Sequence, residues 1–425
     1  MHILVISDLY PPYYIGGYEL NCKDTVNALI NRGNHVTVLT SYWGLKEPSV
    51  EGDVFRVLNY DDASFENQAK KTTGRWSLFE KRVLKIQRIF ISKKNYTLTQ
   101  RIIKQIRPEV IFFWHIINTT TSTVSCALDM GLPFVCRIED YSLAQLKIQL
   151  NRKDHSIKDR YGSLILKMAE CTRFEKHHLI VNSQSVKDYY LQATFLESSI
   201  DVLPDGLPSR LLHHPSNRLN PSFANPAGLV SLCFVGRINP DKGPDVAIKT
   251  IALLKKEPSI PPVHLDLIGT GLPEYVNYLK QLAVSLDLED SVTFLGKLDL
   301  EEVLHRYQYY DAILFTSRWQ EPFSRVVLEA MAQGLPVIGT DYGGTPEIIC
   351  DHKNGLLVPV DDPQAIANAV KSLFTSPDLA SQISVNAYET IRSRYTIEQV
   401  AAHIESFLAN SIENKKPVPS INKIY

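Results

Sequence analysis

Short apolar, β-branched runs alternate with longer stretches of three- and four-residue apolar spacing along most of this chain. That alternation predicts parallel sheets covered by helices. In the first half the runs at 3–6, 35–39, 110–114, 134–138, 179–182 and 200–203 read as strands. A first helix is expected from 19 to about 31, stopped by Gly33, and Asn182-Ser183-Gln184-Ser185 offers N-cap side chains ahead of another. The stretch from 213 to 228 is rich in Pro, Asn and Ser and lacks apolar periodicity, so it reads as a linker. Beyond it the pattern restarts, with strands expected at 230–235, 265–268, 292–295, 312–316, 337–339 and 356–358. Two doubly wound α/β domains are therefore expected, over 1–212 and 229–396, followed by a helix near 397–412 and a polar, loosely ordered tail from 413.

Composition adds limits rather than chemistry. At 425 residues the chain is longer than one hydrophobic core usually serves. A net charge of -1 gives no global field for nucleic acid or membrane, so any charge-based function is local and no nucleic-acid partner is expected. The cysteines Cys22, Cys126, Cys136, Cys171, Cys233 and Cys350 are scattered, without a C-x-x-C pair or histidines at ligand spacing. They read as buried thiols in a reducing compartment, with no metal site. The chain opens directly on Ile3-Leu4-Val5-Ile6 and holds no apolar run of spanning length, so a cytoplasmic location is expected.

Candidate chemistry concentrates in the second half. Glu321-Pro322-Phe323-Ser324-Arg325-Val326-Val327-Leu328-Glu329 follows the expected strand at 312–316. A strand that ends in a polar loop and opens a helix presents free N–H groups and a positive dipole end at the carboxyl edge of the sheet, where a diphosphate would sit. Pro322 suits a first helical turn, and Ser324 offers hydroxyl and amide to an anion. Glu329, about two helical turns beyond Glu321, approaches the same crevice, so two carboxylates can grip hydroxyls of a sugar and a ribose. An isolated pair at that spacing would mean no more than surface charge. This pair has company: the next strand leads into Gly343-Gly344-Thr345-Pro346-Glu347, whose glycines admit close backbone approach and whose Glu347 can start a helix. The first strand of this half leads into Gly236-Arg237-Ile238-Asn239-Pro240-Asp241-Lys242-Gly243. Arg237 can fork two phosphate oxygens and Lys242 acts as a mobile point charge, together neutralising a departing diphosphate without a metal.

In order, FVGRINPDKG, LIGTG, FLGKLDLEEV, EPFSRVVLEAMAQGLPVIGTDYGGTPEII and NGLLVP resemble the retaining GT-B glycosyltransferases of family 4, also described as glycosyltransferases group 1. The likeness runs along nearly the whole chain and is most specific in its C-terminal half. It implies the GT-B fold: two Rossmann-like doubly wound parallel-sheet domains facing a cleft, with the last helix packing back on the first domain. It implies an enzyme of glycan, glycolipid or polysaccharide biosynthesis that moves a sugar, with retention, from a nucleotide sugar, UDP- or GDP-linked, without a metal. The acceptor would be a glycan, a lipid-linked molecule or a small molecule. The resemblance puts Arg237 and Lys242 on the donor diphosphate, Glu321 on the transferred sugar, Glu329 on the ribose, and Gly269 and Gly271 beside the base. Gly236, Phe323, Ser324, Arg325 and Val326 complete the donor site by the same likeness. Two rivals stay open: a nucleotide-sugar epimerase of the same fold, and a nucleotide-sugar-binding subunit without catalysis.

The N-terminal half matches more loosely. Gly16 and Gly17, after Pro11-Pro12-Tyr13-Tyr14-Ile15, resemble the family's loop that approaches diphosphate and acceptor, although a plain turn fits them too. Where many relatives carry a histidine beside the transferred sugar, in a T-x-H-D-Y-like sequence, this chain reads Arg137-Ile138-Glu139-Asp140-Tyr141. Glu139 in that place can accept a sugar hydroxyl, alter donor choice, pass the stabilising role to Asp140, or weaken catalysis. His115 and Tyr141 are further sugar or acceptor candidates, His115 fitting a satisfied core histidine equally well.

Between positions 70 and 107, from Lys70 to Arg107, basic residues face a single acid, Glu80. Trp76, Phe79, Val83, Ile86 and Phe90 recur at three- and four-residue steps, which predicts an amphipathic helix with a basic outer face. Two readings fit. Such a helix can rest on anionic lipid at the inner membrane face, or its apolar stripe can pack on the sheet with the cations solvated or lining a cleft for an anionic acceptor.

Overall fold

The computed structural model describes residues 1–61, 78–151, 178–193, 195, 199–213 and 228–413. Most of the expected linker, Cys171, the tail beyond 413, and Lys70, Lys71, Arg75 and Trp76 lie outside the described residues. The chain forms two compact units, one of Met1–Leu203 with Val400–Tyr425 and one of Pro204–Gln399.

The first unit is built on an eight-stranded sheet among the described residues. Its strands are β1 (His2–Ser7), β2 (His35–Ser41), β3 (Ser49–Glu51), β4 (Val54–Leu58), β5 (Val110–Trp114), β6 (Phe134–Ile138), β7 (Leu179–Val181) and β8 (Ile200–Val202), in the order β3-β4-β2-β1-β5-β6-β7-β8. All neighbours are parallel except β3 with β4. The helices among the described residues are α1 (Gly17–Asn31), α2 (Leu78–Ile106), α3 (Ser122–Asp129), α4 (Ser142–Asn151) and α5 (Gln184–Gln192). Strand β5 is buried at every position, as a strand covered on both faces must be. Ser183 caps α5 by accepting a hydrogen bond from the Val186 N–H.

Strands β3 and β4 were not anticipated, because Arg56 interrupts the apolar run of β4. Its guanidinium turns inward and is buried, donating to the carbonyls of Tyr10 at 2.8 Å and Pro11 at 2.7 Å. A sequence pattern reads that arginine as exposed; the two buried carbonyls explain why it is not.

Helix α2 also departs from expectation. From Arg88 onward its buried positions are Ser92, Asn95, Thr99, Ile102 and Ile103, whereas Phe90 is 69% exposed. Asn95 lies in the interior because it bonds Asn59 and the Thr119 carbonyl. Arg88 is no solvated outer-face cation: it pairs with Asp61 at 2.6 Å and donates to the Ile117 carbonyl.

Among the described residues the second unit carries a six-stranded parallel sheet in the order β11-β10-β9-β12-β13-β14, with β9 (Val230–Val235), β10 (Val263–Ile268), β11 (Val292–Gly296), β12 (Ala312–Phe315), β13 (Val337–Thr340) and β14 (Leu356–Val358). Its helices are α6 (Pro244–Leu254), α7 (Pro273–Ser285), α8 (Leu300–Arg306), α9 (Arg325–Ala332), α10 (Thr345–Ile348), α11 (Pro363–Thr375) and α12 (Pro377–Arg394). Alternation along the strands sorts residues to two cores. Leu232, Phe234, Ala312 and Leu314 meet Ile251 of α6 and Val370 of α11 on one face. Cys233, Ile313 and Phe315 meet Leu328 of α9 and Ile391 of α12 on the other.

Residues 204–212, expected with the first domain, lie in the second unit. Leu207 exchanges backbone hydrogen bonds with Tyr395 and Ile397, and a Cβ on Gly206 would press on the Thr396 backbone. The last helix, α13 (Ile397–Glu413), joins the first unit from Val400 onward. There Glu405 accepts from Arg32 and Asn34, and the Ser411 hydroxyl donates to the Phe134 carbonyl.

Candidate functional site

Strand order reverses between β9 and β12 in the second unit, and loops at the carboxyl ends of such neighbours border a crevice. The loop after β9 stays zipped to the one after β10: Gly236 N–H donates to Ile268 and Ile238 N–H to Thr270, at 3.0 and 2.8 Å. Gly269 and Gly271 lie so close to the carbonyls of Gly236 and Ile238 that a Cβ on either would collide with them. These glycines are therefore needed for loop-to-loop contact, whatever else they approach. Arg237, between the two zipped positions, is exposed.

Lys242 ends a short 3-10 turn (Pro240–Lys242) closed by Gly243, whose φ of +67° and contact with the Thr316 carbonyl exclude a side chain. From that turn the Lys242 ammonium reaches Glu321 and forms an ion pair with Oε1. The Ser317 hydroxyl donates to the same oxygen at 2.7 Å. Glu321 is buried, and its main chain is pinned by the next loop: Gly344 N–H donates to its carbonyl at 2.7 Å, and Gly343 and Gly344 pack on the backbone of Glu321 and Pro322. The result is a lysine and a carboxylate joined at the sheet edge, on three loops that side chains larger than hydrogen would force apart.

Helix α9 starts at Arg325 with Ser324 as N-cap, its hydroxyl accepting from Val327 N–H at 3.4 Å. Pro322 is thus not in a first helical turn: it stays in the loop, held by Gly344. The Ser324 hydroxyl is engaged by its own helix. Arg325 and Glu329 are both buried and joined at 2.8 Å, so Glu329 meets the site through an arginine rather than as a bare carboxylate. Phe323 belongs to the core, its ring 5.6 Å from that of Tyr395. Val326, next to the Ser324 cap, is only partly buried.

The first unit reverses strand order between β1 and β5, and there a second cluster forms. Asp8, fully buried after β1, accepts from the Asn118 and Thr119 N–H groups, both at 2.8 Å, and from the Thr119 hydroxyl at 2.6 Å. His115, after β5, adopts φ +51°, a rare left-handed conformation for histidine. Its Nε2 stands 3.9 Å from Asp8 Oδ2 and 3.7 Å from Asp140 Oδ2, with the Tyr18 ring at 4.6 Å. Burial pulls the imidazole pKa down, but the carboxylates of Asp140, Asp8 and Glu19 outweigh it and leave it raised. Burial likewise raises the Asp8 and Glu19 carboxyls.

The other N-terminal candidates are occupied differently. Glu139 is buried and paired with Arg137 at 3.0 Å, and that guanidinium lies over the Trp114 ring. Asp140, not Glu139, borders His115, and it also accepts from Ser142 N–H and hydroxyl ahead of α4. Tyr141 is a core residue: its ring meets Tyr189 and its hydroxyl meets Ser185. Gly16 N–H donates to Glu19 Oε2 at 3.0 Å, which closes the N-terminus of α1 just before Gly17.

Two of these partners were not foreseen. Asp8 and Ser317 each stand just beyond a strand beside a switch point, and that position was their one legible signal. Among the described residues no group of three or more His, Cys, Asp or Glu side chains is placed to hold a metal ion.

The glycosyl transferases group 1 family model matches residues 219–390, the stretch that holds the Lys242 and Glu321 loops. This stretch belongs to the group 1 glycosyltransferases. Spore coat protein SA of Bacillus subtilis is 30% identical over 176 residues, which cover 41% of this chain and 47% of that protein. The chain thus spans about half the length of this curated relative. An uncharacterized glycosyltransferase of Methanocaldococcus jannaschii is 25% identical over 94% of this chain and 96% of its own length. Among solved structures, Anabaena HepE in complex with UDP-glucose has a TM-score of 0.66 at 21% identity, covering 96% of this chain and all of that one. The fold shared with that structure is GT-B.

Proposed function

We propose that this chain is a glycosyltransferase that moves a sugar from a nucleoside-diphosphate sugar to an acceptor hydroxyl, with retention of configuration. The observation that carries the reading is the Lys242–Glu321 pair, held with Ser317 between the glycine-packed loops of a group 1 unit. A relative of the same fold binds UDP-glucose, which supports a nucleotide sugar as donor.

In this reading the bond from the anomeric carbon to the diphosphate oxygen breaks, and its electron pair leaves with the diphosphate. Arg237 and Lys242 balance that charge as it develops, where stabilisation lowers the barrier most. Glu321 accepts hydrogen bonds from the transferred sugar, oriented by Ser317 and Lys242. Glu329, oriented by Arg325, accepts from the ribose, and the Gly269 to Gly271 strip flanks the base. The acceptor oxygen bonds to the anomeric carbon on the same face and passes its proton to the departing diphosphate oxygen. The Asp8, His115 and Asp140 cluster is assigned to hydroxyls of the acceptor or transferred sugar.

A thermal-shift panel of UDP-, GDP-, ADP- and dTDP-sugars tests this, since a ligand that binds only the folded state raises its melting temperature. One nucleotide class should shift the wild type and fail to shift Arg237→Ala and Lys242→Met. If none shifts the wild type at millimolar concentration, the donor-site reading is wrong. Product analysis then separates transfer from epimerisation of the donor sugar.

The 69% exposure of Phe90, beside exposed Lys93 and Lys94, favours an additional reading in which α2 rests on an anionic lipid surface. Sedimentation with anionic vesicles should then fall with added salt and with Phe90→Ser. No binding at low ionic strength would remove this reading.

A further inference from the structure

Arg318 stands in the loop after β12, in neither the lysine–carboxylate pair nor the expected ligand set. Its guanidinium ties together three other segments. Nη1 and Nη2 fork onto the two Asp245 oxygens at the start of α6, at 2.7 and 2.8 Å. Nη1 also donates to the Pro240 carbonyl at 2.8 Å, and Nε donates to Asp361, beyond β14, at 2.5 Å. The backbone repeats the connection, for the N–H groups of Arg318 and Trp319 both donate to the Asp241 carbonyl, at 2.7 and 3.1 Å. Asp245 is held further by Lys249 at 3.0 Å and the Tyr275 hydroxyl at 3.2 Å. Burial pushes the Asp245 carboxyl up, yet the bonds from Arg318 and Lys249 outweigh it and hold its pKa at about 2.

All of these contacts except the one to Asp361 converge on the turn Pro240–Lys242, or on the helix that follows it. We propose that Arg318 is a positioning residue whose planar fork sets the height of that turn and so stations Lys242 beside Glu321. A lysine at 318 would not serve, because a single ammonium cannot bind both Asp245 oxygens and the Pro240 carbonyl in one plane. The inference rests on the donor-site reading only for its consequence in ligand binding; the placement of Lys242 is a property of the chain alone.

Two measurements on the full chain separate these. In the first, competitive acetylation followed by peptide mass spectrometry reads the reactivity of Lys242, with Lys371, paired to Glu257 at 2.8 Å, as internal reference. Arg318→Met should raise Lys242 labelling about fivefold while Lys371 stays unchanged, since only the local turn is released. In the second, titration with UDP and GDP should show affinity falling about tenfold in Arg318→Met, and less than twofold for the same change made in a Lys242→Met background. Arg318→Lys and Asp245→Asn, which lose the fork but keep side-chain size, carry both measurements if Arg318→Met does not fold. Unchanged Lys242 labelling in a folded variant, a parallel rise at Lys371, or fully additive binding losses would each overturn the proposal. If neither nucleotide binds the wild type, the donor-site reading falls, and acetylation still decides the role of Arg318.

Discussion

Each unit carries a double glycine at the carboxyl edge of its sheet, and the two pairs do different physical work. At Gly343-Gly344 the chain passes against the backbone of Glu321 and Pro322 so closely that any Cβ would collide. At Gly16 the nearest atom to an added Cβ is Glu19 Oε2 at 3.7 Å, an ordinary contact. The first pair is a steric requirement that holds Glu321 in place. The second sits at a helix start whose amides are taken by a buried glutamate. The chemistry around them divides in the same way: the second unit presents a lysine–carboxylate pair on interlocked loops, whereas the first buries Asp8 and His115, with the Asp8 and Asp140 carboxylates both near the imidazole Nε2.

The sharpest way to break this contrast is at the ion pair. Glu321→Gln or Lys242→Met should lower kcat/KM for sugar transfer about 100-fold or more, as losses of groups that act on developing charge do. Wild-type turnover in either variant would move the chemistry elsewhere. Next in size, Gly344→Ala should destabilise the second unit by about 2–3 kcal/mol in denaturant unfolding, because the main chain of Pro322 must shift. Stability within error of the wild type would show that the loops have room to separate.

A third outcome concerns the first unit. Asp140→Asn should lower the His115 pKa, read by NMR, since the largest raising influence on it is removed. The sign for stability follows from the raised value. The folded imidazole holds its proton more tightly than the unfolded one, so its contribution is complete below the unfolded pKa of about 6.5 and is lost as pH rises through the folded value. Wild type and Asp140→Asn should therefore differ most at low pH and converge at high pH. Convergence at low pH instead would mean that burial, not Asp140, governs the imidazole. The smallest effect is expected for Gly16→Ala, under about 1 kcal/mol by the same denaturant measurement, because its surroundings admit a methyl group. A loss as large as that of Gly344→Ala would erase the distinction between the two loops.

Much of this was legible from local pattern. The runs at 110–114, 134–138, 230–235 and 356–358 coincide with β5, β6, β9 and β14, since a buried strand must be apolar at nearly every position. Where a polar residue had a nonlocal partner, the pattern misled: Arg56 hid β4, and Asn95 and Thr99 hid the packed side of α2. The motif loops were legible as loops, but their contacts were not. Nothing in EPFSRVVLE distinguishes a glutamate held by Lys242, as Glu321 is, from one held within its own helix, as Glu329 is.

By itself, then, the sequence determined the alternation of strands and helices, the two doubly wound sheets and the glycines that mark the close-packed loops, because each follows from periodicity or from the size of one residue. Tertiary structure alone decided which charges meet. Lys242 finds Glu321, Arg318 finds Asp245 and His115 finds Asp8 because strand order sets β9 beside β12 and β1 beside β5. That order places the ends of neighbouring strands a few ångströms apart however far apart they lie along the chain, and no local pattern encodes it.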